Sequence, residues 1–118
     1  MYTIRKEFHF SASHQLKGLP NTHPCARLHG HNYIVIVELS SKEVNNVGFV
    51  RDYGDLSLVK HFLDKTWDHK HLNDVLPMNP TAENMAKLLY DLLKESIPEI
   101  TAVEVLETPK TKARYEAH

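Results

Sequence analysis

Cysteine is nearly absent from this sequence, which has only one, Cys25, among 118 residues. A single cysteine cannot form a disulfide within the chain, so the sequence is compatible with a reducing compartment and we expect a cytoplasmic protein. An excess of either charge is also lacking. The formal net charge is −1 at pH 7, so no global field draws the chain to nucleic acid or to an anionic membrane.

Long apolar runs are missing as well. No run approaches the roughly 18 residues of a membrane-spanning helix, and Met1–Arg5 lacks the apolar core of a signal peptide. Apolar residues make up 42% of the sequence and charged residues 25%, as in ordinary globular proteins. The length fits one domain, residues 1–118. Because so small a domain buries a limited share of its surface, assembly with further copies is favoured.

Histidine, by contrast, is abundant, with nine residues. His29 and His31 flank Gly30, four residues after Cys25. In an extended chain the two side chains share one face and stand about 6 to 7 Å apart along the strand, so both can bind one metal ion. A third histidine, His14, ends the apolar face of an upstream alternating run.

Three neutral imidazoles that leave the fourth position open are the ligand set of a catalytic zinc ion, whereas structural zinc sites are closed by four protein ligands. Three other interpretations remain at this point. The His-Gly-His segment can simply be a pair of surface histidines, and Cys25 can be a small buried residue or the fourth ligand of a closed structural site.

Side-chain periodicity predicts an α+β fold. Alternation indicates strands at residues 3–14, 31–39, 102–107 and 110–115. Helical spacing indicates one helix from Asp55 and a second from Thr81 that ends at Ile97–Pro98, and residues 67–80 look irregular. The order strand, strand, helix, helix, strand, strand predicts an antiparallel four-stranded sheet with two helices on one face.

Two further places contain side chains suited to chemistry. Asp68 and His69 are adjacent, and a carboxylate beside an imidazole can fix the tautomer of a ring that moves a proton; the alternative is a helix-end or loop cap. Glu107 ends the apolar face of the third predicted strand. Its carboxylate either faces solvent or accepts two parallel N–H bonds from a guanidine-like edge of a ligand.

Together these segments resemble the 6-pyruvoyltetrahydropterin synthase family over nearly the whole chain. The matching motifs are Phe10–His14, Cys25–His31, Asp68–Asp74, Asn79–Asn84 and Glu107–Thr108. The three residues between the cysteine and His-Gly-His are similar to the bacterial 6-carboxy-5,6,7,8-tetrahydropterin synthases within that family, which make a precursor of queuosine and other deazapurines.

The resemblance implies the tunnelling fold, in which the sheets of several subunits join into a barrel. It implies a homohexamer built from two trimers, with active sites between subunits. It also implies a lyase that converts 7,8-dihydroneopterin triphosphate to 6-carboxytetrahydropterin, acetaldehyde and triphosphate.

The resemblance further implies roles for individual residues. His14, His29 and His31 would hold Zn²⁺. Cys25 would be the catalytic base, and Asp68 and His69 would tune it from a neighbouring subunit. Glu107 would hold the amino-pyrimidine edge of the pterin, helped by Thr108.

Two other functions stay open on the sequence. The first is a 6-pyruvoyltetrahydropterin synthase that acts on the same triphosphate. The second is a non-catalytic domain whose zinc ion is closed by Cys25 and the three histidines.

Overall fold

The structure, a computed structural model, describes residues 1–117; the last residue of the predicted domain, His118, lies outside them. Within this range the strands are β1 (Tyr2–His14), β2 (His29–Ser41), β3 (Ile100–Thr108) and β4 (Thr111–Glu116). The helices are α1 (Ser57–Thr66), α2 (Leu72–Val75) and α3 (Ala82–Lys94), with 3₁₀ turns at Pro24–Ala26 and Tyr53–Leu56.

The described strands form one antiparallel sheet in the order β1-β2-β3-β4. The predicted α+β architecture is therefore confirmed, and each predicted strand is found to within two residues at either end. One element was missed: α2 is a single helical turn inside the segment that the sequence marks as irregular. No helix in the described residues is long and apolar enough to span a membrane.

Alternation along the strands decides which face meets the helices. Phe8 and Phe10 on β1 and Val35 and Val37 on β2 are buried, because side chains two residues apart point to the same side of a sheet. These side chains pack with the apolar stripes of α1 and α3 in one core. The core therefore lies between the helices and one face of the sheet.

Helix α3 begins where the sequence predicts. The Thr81 hydroxyl accepts a hydrogen bond from the backbone N–H of Asn84 at 3.1 Å, which satisfies one of the free donors of the first turn. Met85 and Leu89 are fully buried in its apolar stripe. Leu92 is apolar but lies outside that stripe: its side chain is 49% exposed, because its position turns away from the sheet.

The opposite face of the sheet carries charge. Glu104 on β3 is only 5% exposed, and its carboxylate binds Arg5 of β1 and Arg114 of β4. Arg114 also binds Glu38 of β2, at 2.7 Å between Nη2 and Oε2. This ionic network ties together all four described strands on the face that the helices leave uncovered.

Candidate active site

Three imidazoles meet where β1 ends and β2 begins. His14 and His29 are direct partners in the antiparallel register, and His31 follows two residues later on the same face. The Nε2 atoms of His14 and His29 are 2.9 Å apart. Each of the three rings offers one nitrogen within 4.8 Å of the other two. The predicted trio is therefore placed to hold a metal ion.

Backbone carbonyls fix which nitrogen of two rings faces the centre of the trio. Nδ1 of His14 lies 2.8 Å from the carbonyl oxygen of Pro80, and Nδ1 of His29 lies 2.6 Å from that of Arg27. Because a carbonyl oxygen only accepts, both Nδ1 atoms carry the proton and both Nε2 atoms carry a lone pair. Two lone pairs cannot bond to each other across 2.9 Å. A cation bound by both removes the conflict, so this donor set fits a divalent metal ion.

Burial favours the metal-binding form of His14 and His31. The His14 side chain is fully buried, and desolvation lowers its pKa below the usual 6.5. Desolvation also lowers the pKa of His31, although the nearby carboxylate of Glu107 acts in the opposite direction. Neutral imidazoles are the metal-binding form.

Glu107 reaches the trio from the neighbouring strand. Val105 on β3 is paired with Val35 on β2, so Glu107, two residues beyond Val105, points to the same face as the histidines. Its Oε2 atom lies 3.4 Å from Nε2 of His14 and 3.5 Å from Nε2 of His31.

Glu107 also lines a cleft of about 260 Å³ between β3, β4 and the start of α3, which Glu83 and Lys112 line as well. Thr108 follows at the exposed end of β3, where its hydroxyl accepts a hydrogen bond from the backbone N–H of Lys110.

Cys25 lies in the loop that leads to β2. Its backbone N–H donates to Nδ1 of His23, and its carbonyl accepts from the backbone N–H of Leu16 at 3.0 Å. The side chain is free and half-buried. Within residues 1–117 the cluster of potential metal ligands contains the three imidazoles without this thiol. The four-ligand arrangement that the sequence left open is thus not formed in the described chain.

Asp68 and His69 form the predicted pair. Oδ2 of Asp68 lies 2.7 Å from Nδ1 of His69, and Oδ1 accepts from the backbone N–H of Ser11 at 2.9 Å. The Ser11 amide, followed by His69, lowers the pKa of Asp68 and keeps it ionised. His69 has a φ of 59°, a left-handed conformation, and its side chain is 82% exposed. The backbone thus presents this imidazole to the outside.

The pair opens onto the other side of β1. The hydroxyl of Ser11 bonds Asn32, and that of Ser13 lies 2.9 Å from Nδ1 of His71; both serines alternate away from the side of His14. A cavity of about 470 Å³ is lined by Ser11, Ser13, Asn32, His69 and His71, and His31 of the trio lines it as well. His69 is not among the three histidines whose ligand atoms lie within 4.8 Å of one another, so in the described residues the pair is separate from the imidazole trio.

The residues that hold the site's side chains in place could not be predicted from the sequence. Pro80 and Arg27 act through carbonyl oxygens, which every residue carries. The ring of His71 is fixed by Ser13, fifty-eight positions away in sequence. Tyr33, whose hydroxyl lies 3.2 Å from Nδ1 of His14, reads in the sequence as an ordinary strand residue.

Comparison with known proteins decides the family. The family model described as 6-pyruvoyl tetrahydropterin synthase matches residues 3–118. The chain belongs to this family. A 6-carboxy-5,6,7,8-tetrahydropterin synthase from a Synechocystis strain is 38% identical, over 98% of this chain and 93% of the relative. The protein of the same name from Bacillus subtilis is 29% identical, over 97% of this chain and 84% of the relative.

Solved structures agree with the assignment to the 6-pyruvoyl tetrahydropterin synthase family. The 6-pyruvoyl tetrahydropterin synthase of Caenorhabditis elegans superimposes with a TM-score of 0.85 at 28% identity, over 99% of this chain and 96% of the other. The expected tunnelling fold of the single chain and the prediction of a lyase-type enzyme are thereby confirmed.

Proposed function

We propose that this chain catalyses the zinc-dependent conversion of 7,8-dihydroneopterin triphosphate to 6-carboxy-5,6,7,8-tetrahydropterin, acetaldehyde and triphosphate, on the route to queuosine and other 7-deazapurines. The observation that carries the proposal is the convergence of His14, His29, His31 and the Glu107 carboxylate at one end of the sheet. Relatives that cover nearly the whole chain and are named as 6-carboxy-5,6,7,8-tetrahydropterin synthases support the choice of product.

The three imidazoles would hold the zinc ion through Nε2. When bound, Zn²⁺ supplies a Lewis acid that can polarise an oxygen of the substrate side chain. The protein's own contribution is preorganisation. The carbonyls of Pro80 and Arg27 hold the rings of His14 and His29 in orientation and tautomer, so little rearrangement is needed when the ion arrives.

Glu107 would anchor the pterin. The amino-pyrimidine edge of a pterin offers neighbouring N–H groups, and a carboxylate can accept two of them in parallel. The cleft of about 260 Å³ that Glu107 lines would provide space for a flat ring, and Thr108, the next residue along β3, would help to hold it. Because the anchor and the metal ligands share one end of the sheet, the ring and its C6 side chain would be oriented together.

Cys25 would take a proton from the substrate as the thiolate, the form in which a thiol acts as a base. The Asp68–His69 pair would exchange a further proton with the substrate, in addition to the one that Cys25 takes. The carboxylate of Asp68 accepts a hydrogen bond from Nδ1–H of His69, which leaves Nε2 free to accept a proton. Because the pair opens onto the other side of the sheet, we infer that it serves the site of a neighbouring copy, in a homohexamer whose sheets close into a barrel.

The reaction is tested by incubating the zinc-loaded protein with 7,8-dihydroneopterin triphosphate and identifying the products by mass spectrometry. We expect 6-carboxytetrahydropterin and acetaldehyde. A 6-pyruvoyl product would instead assign the chain to the activity after which the family is named. Absence of turnover in a folded, zinc-loaded preparation would contradict both assignments.

Subunit complementation tests the shared site. Cys25→Ala and His69→Ala proteins are each expected to be inactive. After the two are unfolded, mixed in equal amounts and refolded, random assembly leaves both residues intact in about a quarter of inter-subunit sites. We therefore expect about a quarter of the wild-type activity in the mixture. A mixture as inactive as its parents would place both residues in one chain's site and contradict the neighbouring-copy arrangement.

A further inference from the structure

The carboxylate of Glu107 lies beside the metal-binding nitrogens of two histidines. Its Oε2 atom is 3.4 Å from Nε2 of His14 and 3.5 Å from Nε2 of His31. The proton of His14 is on Nδ1, which faces Pro80, so the carboxylate oxygen faces a lone pair. Two electron-rich atoms in that position repel each other unless a cation lies between them.

The separations agree with those of ligands that share one ion. Four ligand atoms arranged tetrahedrally, each about 2.0–2.2 Å from zinc, stand about 3.4 Å from one another. Glu107 meets this distance for two of the three imidazoles. In the described part of the chain the group of ligand atoms that all lie within 4.8 Å of one another consists of the three histidines without Glu107, so the carboxylate is close to two of the rings and is not a member of the full group. A rotation of the Glu107 side chain would therefore be enough to bring the carboxylate into contact with the ion or to remove it.

We propose that Glu107 occupies the fourth coordination position of the metal in the substrate-free protein, and leaves it when the amino-pyrimidine edge of a pterin binds the same carboxylate. The second half rests on the proposed function, which supplies the pterin. Two parallel N–H bonds engage both carboxylate oxygens, so anchoring the ring and binding the metal compete. The carboxylate remains reachable, since its side chain is 29% exposed and lines the cleft.

This exchange would make the open position of the metal depend on an aligned substrate. Without substrate, the carboxylate keeps water and other small ligands away from the ion. Once the ring is anchored, the position is vacant beside the C6 side chain that is to react. Glu107 would then be a positioning residue for the pterin and a removable metal ligand, two roles that one carboxylate cannot fill at once.

The test uses the full-length protein loaded with Co²⁺, whose visible spectrum reports the ligands of the ion. Imidazole is titrated as a neutral probe, so the loss of a negative charge does not by itself change the affinity. We expect Glu107→Gln to bind imidazole at least about tenfold more tightly than wild type, because the amide is a poorer ligand than the carboxylate. Glu83→Gln, altered in the same cleft, should behave as wild type. Equal affinity in wild type and Glu107→Gln would overturn the proposal.

Zinc affinity gives a second readout that does not depend on turnover. In competition with a chromophoric chelator, Glu107→Gln should lose about 10- to 100-fold in affinity, with an unchanged circular dichroism spectrum as the folding control. A variant that retains wild-type zinc affinity would show that the carboxylate does not touch the ion.

Unsubstituted pterin, which has the ring edge and no C6 side chain, tests the withdrawal. Added to the wild-type Co²⁺ protein, it should raise the imidazole affinity to that of Glu107→Gln, and it should leave the variant unchanged. If an active enzyme shows no such rise, the exchange is refuted and the proposed function stands. If imidazole distinguishes wild type from Glu107→Gln in a preparation without turnover, the ligand role is supported and the proposed function fails.

Discussion

Metal binding should stabilise the folded chain by an amount that can be calculated. The ligands come from two strands and converge only in the folded state, because His14 and His29 are fifteen residues apart in sequence. A ligand that binds only the folded state stabilises it by about 2.7 kcal/mol when its free concentration is 100 times Kd. For 118 residues the unfolding entropy near 60 °C is about 250 cal/mol/K, so this free energy corresponds to a rise in Tm of about 11 °C.

Thermal unfolding followed by circular dichroism, with zinc and with excess chelator, measures the shift. His29→Ala removes one of the three ligands and should lose most of the zinc-dependent rise. His61→Ala, altered at an exposed position on α1, is the matched histidine control and should keep the full rise. The chelated wild-type protein should stay folded at 25 °C, because the apolar core is built from the strands and helices without any metal ligand except the ring of His14.

Two results would refute this reasoning. Unfolding of the wild-type chain at 25 °C on chelation would mean that the metal is a structural element, as in domains closed by four protein ligands. A Tm that does not respond to zinc at any concentration, in a preparation with the expected circular dichroism spectrum, would mean that the three nitrogens do not bind the ion.

Three further substitutions separate chemistry from stability. Cys25→Ala should lower kcat by about 10²-fold or more and leave the zinc-dependent rise in Tm intact; undiminished turnover would remove the proposed base. Asp68→Asn should also lower kcat and change the pH–rate profile, because the partner that fixes the His69 tautomer is altered, and a profile identical to wild type would contradict that role. The hydrogen bond from Arg114 lowers the pKa of Glu38 in the folded state. The ionised carboxylate therefore stabilises the fold fully above its unfolded pKa near 4.5, and this stabilisation is lost as the pH falls through the lower folded pKa. In Glu38→Gln, the free energy of unfolding measured with urea should depend less on pH in this acid range.

The sequence was sufficient for the sheet and the imidazole trio for the same physical reason. A strand alternates its side chains with a period of two, so the buried run that ends at His14 and the pair His29 and His31 each define a face. Antiparallel pairing across one loop then brings the ends of the two strands together. The direction of the Glu107 side chain was predictable, because Glu107 ends the apolar face of the third strand. Its distance from the imidazole trio depends on the register between β2 and β3.

Other features depend on contacts that leave no pattern in the chain. The carbonyls of Pro80 and Arg27 orient two metal-binding rings. Because every residue has a carbonyl group, the residue types at these positions do not predict this role. The turn at Leu72–Val75 is too short to show helical periodicity. The left-handed backbone at His69, which presents its ring to the outside, is imposed by pairing of that segment with Ser11 rather than by a glycine.

The layout of the chain also has a consequence for how activity should depend on assembly. The imidazole trio and Glu107 lie on the helix-covered face at the end of β1 and β2, whereas the Asp68–His69 pair opens onto the opposite face. If the pair serves a neighbouring copy, a separated subunit keeps its complete set of metal ligands and loses only its second proton-transfer group. Dilution should then affect metal binding and turnover differently. The zinc-dependent rise in Tm should persist in the separated chain, while kcat should fall as the oligomer dissociates.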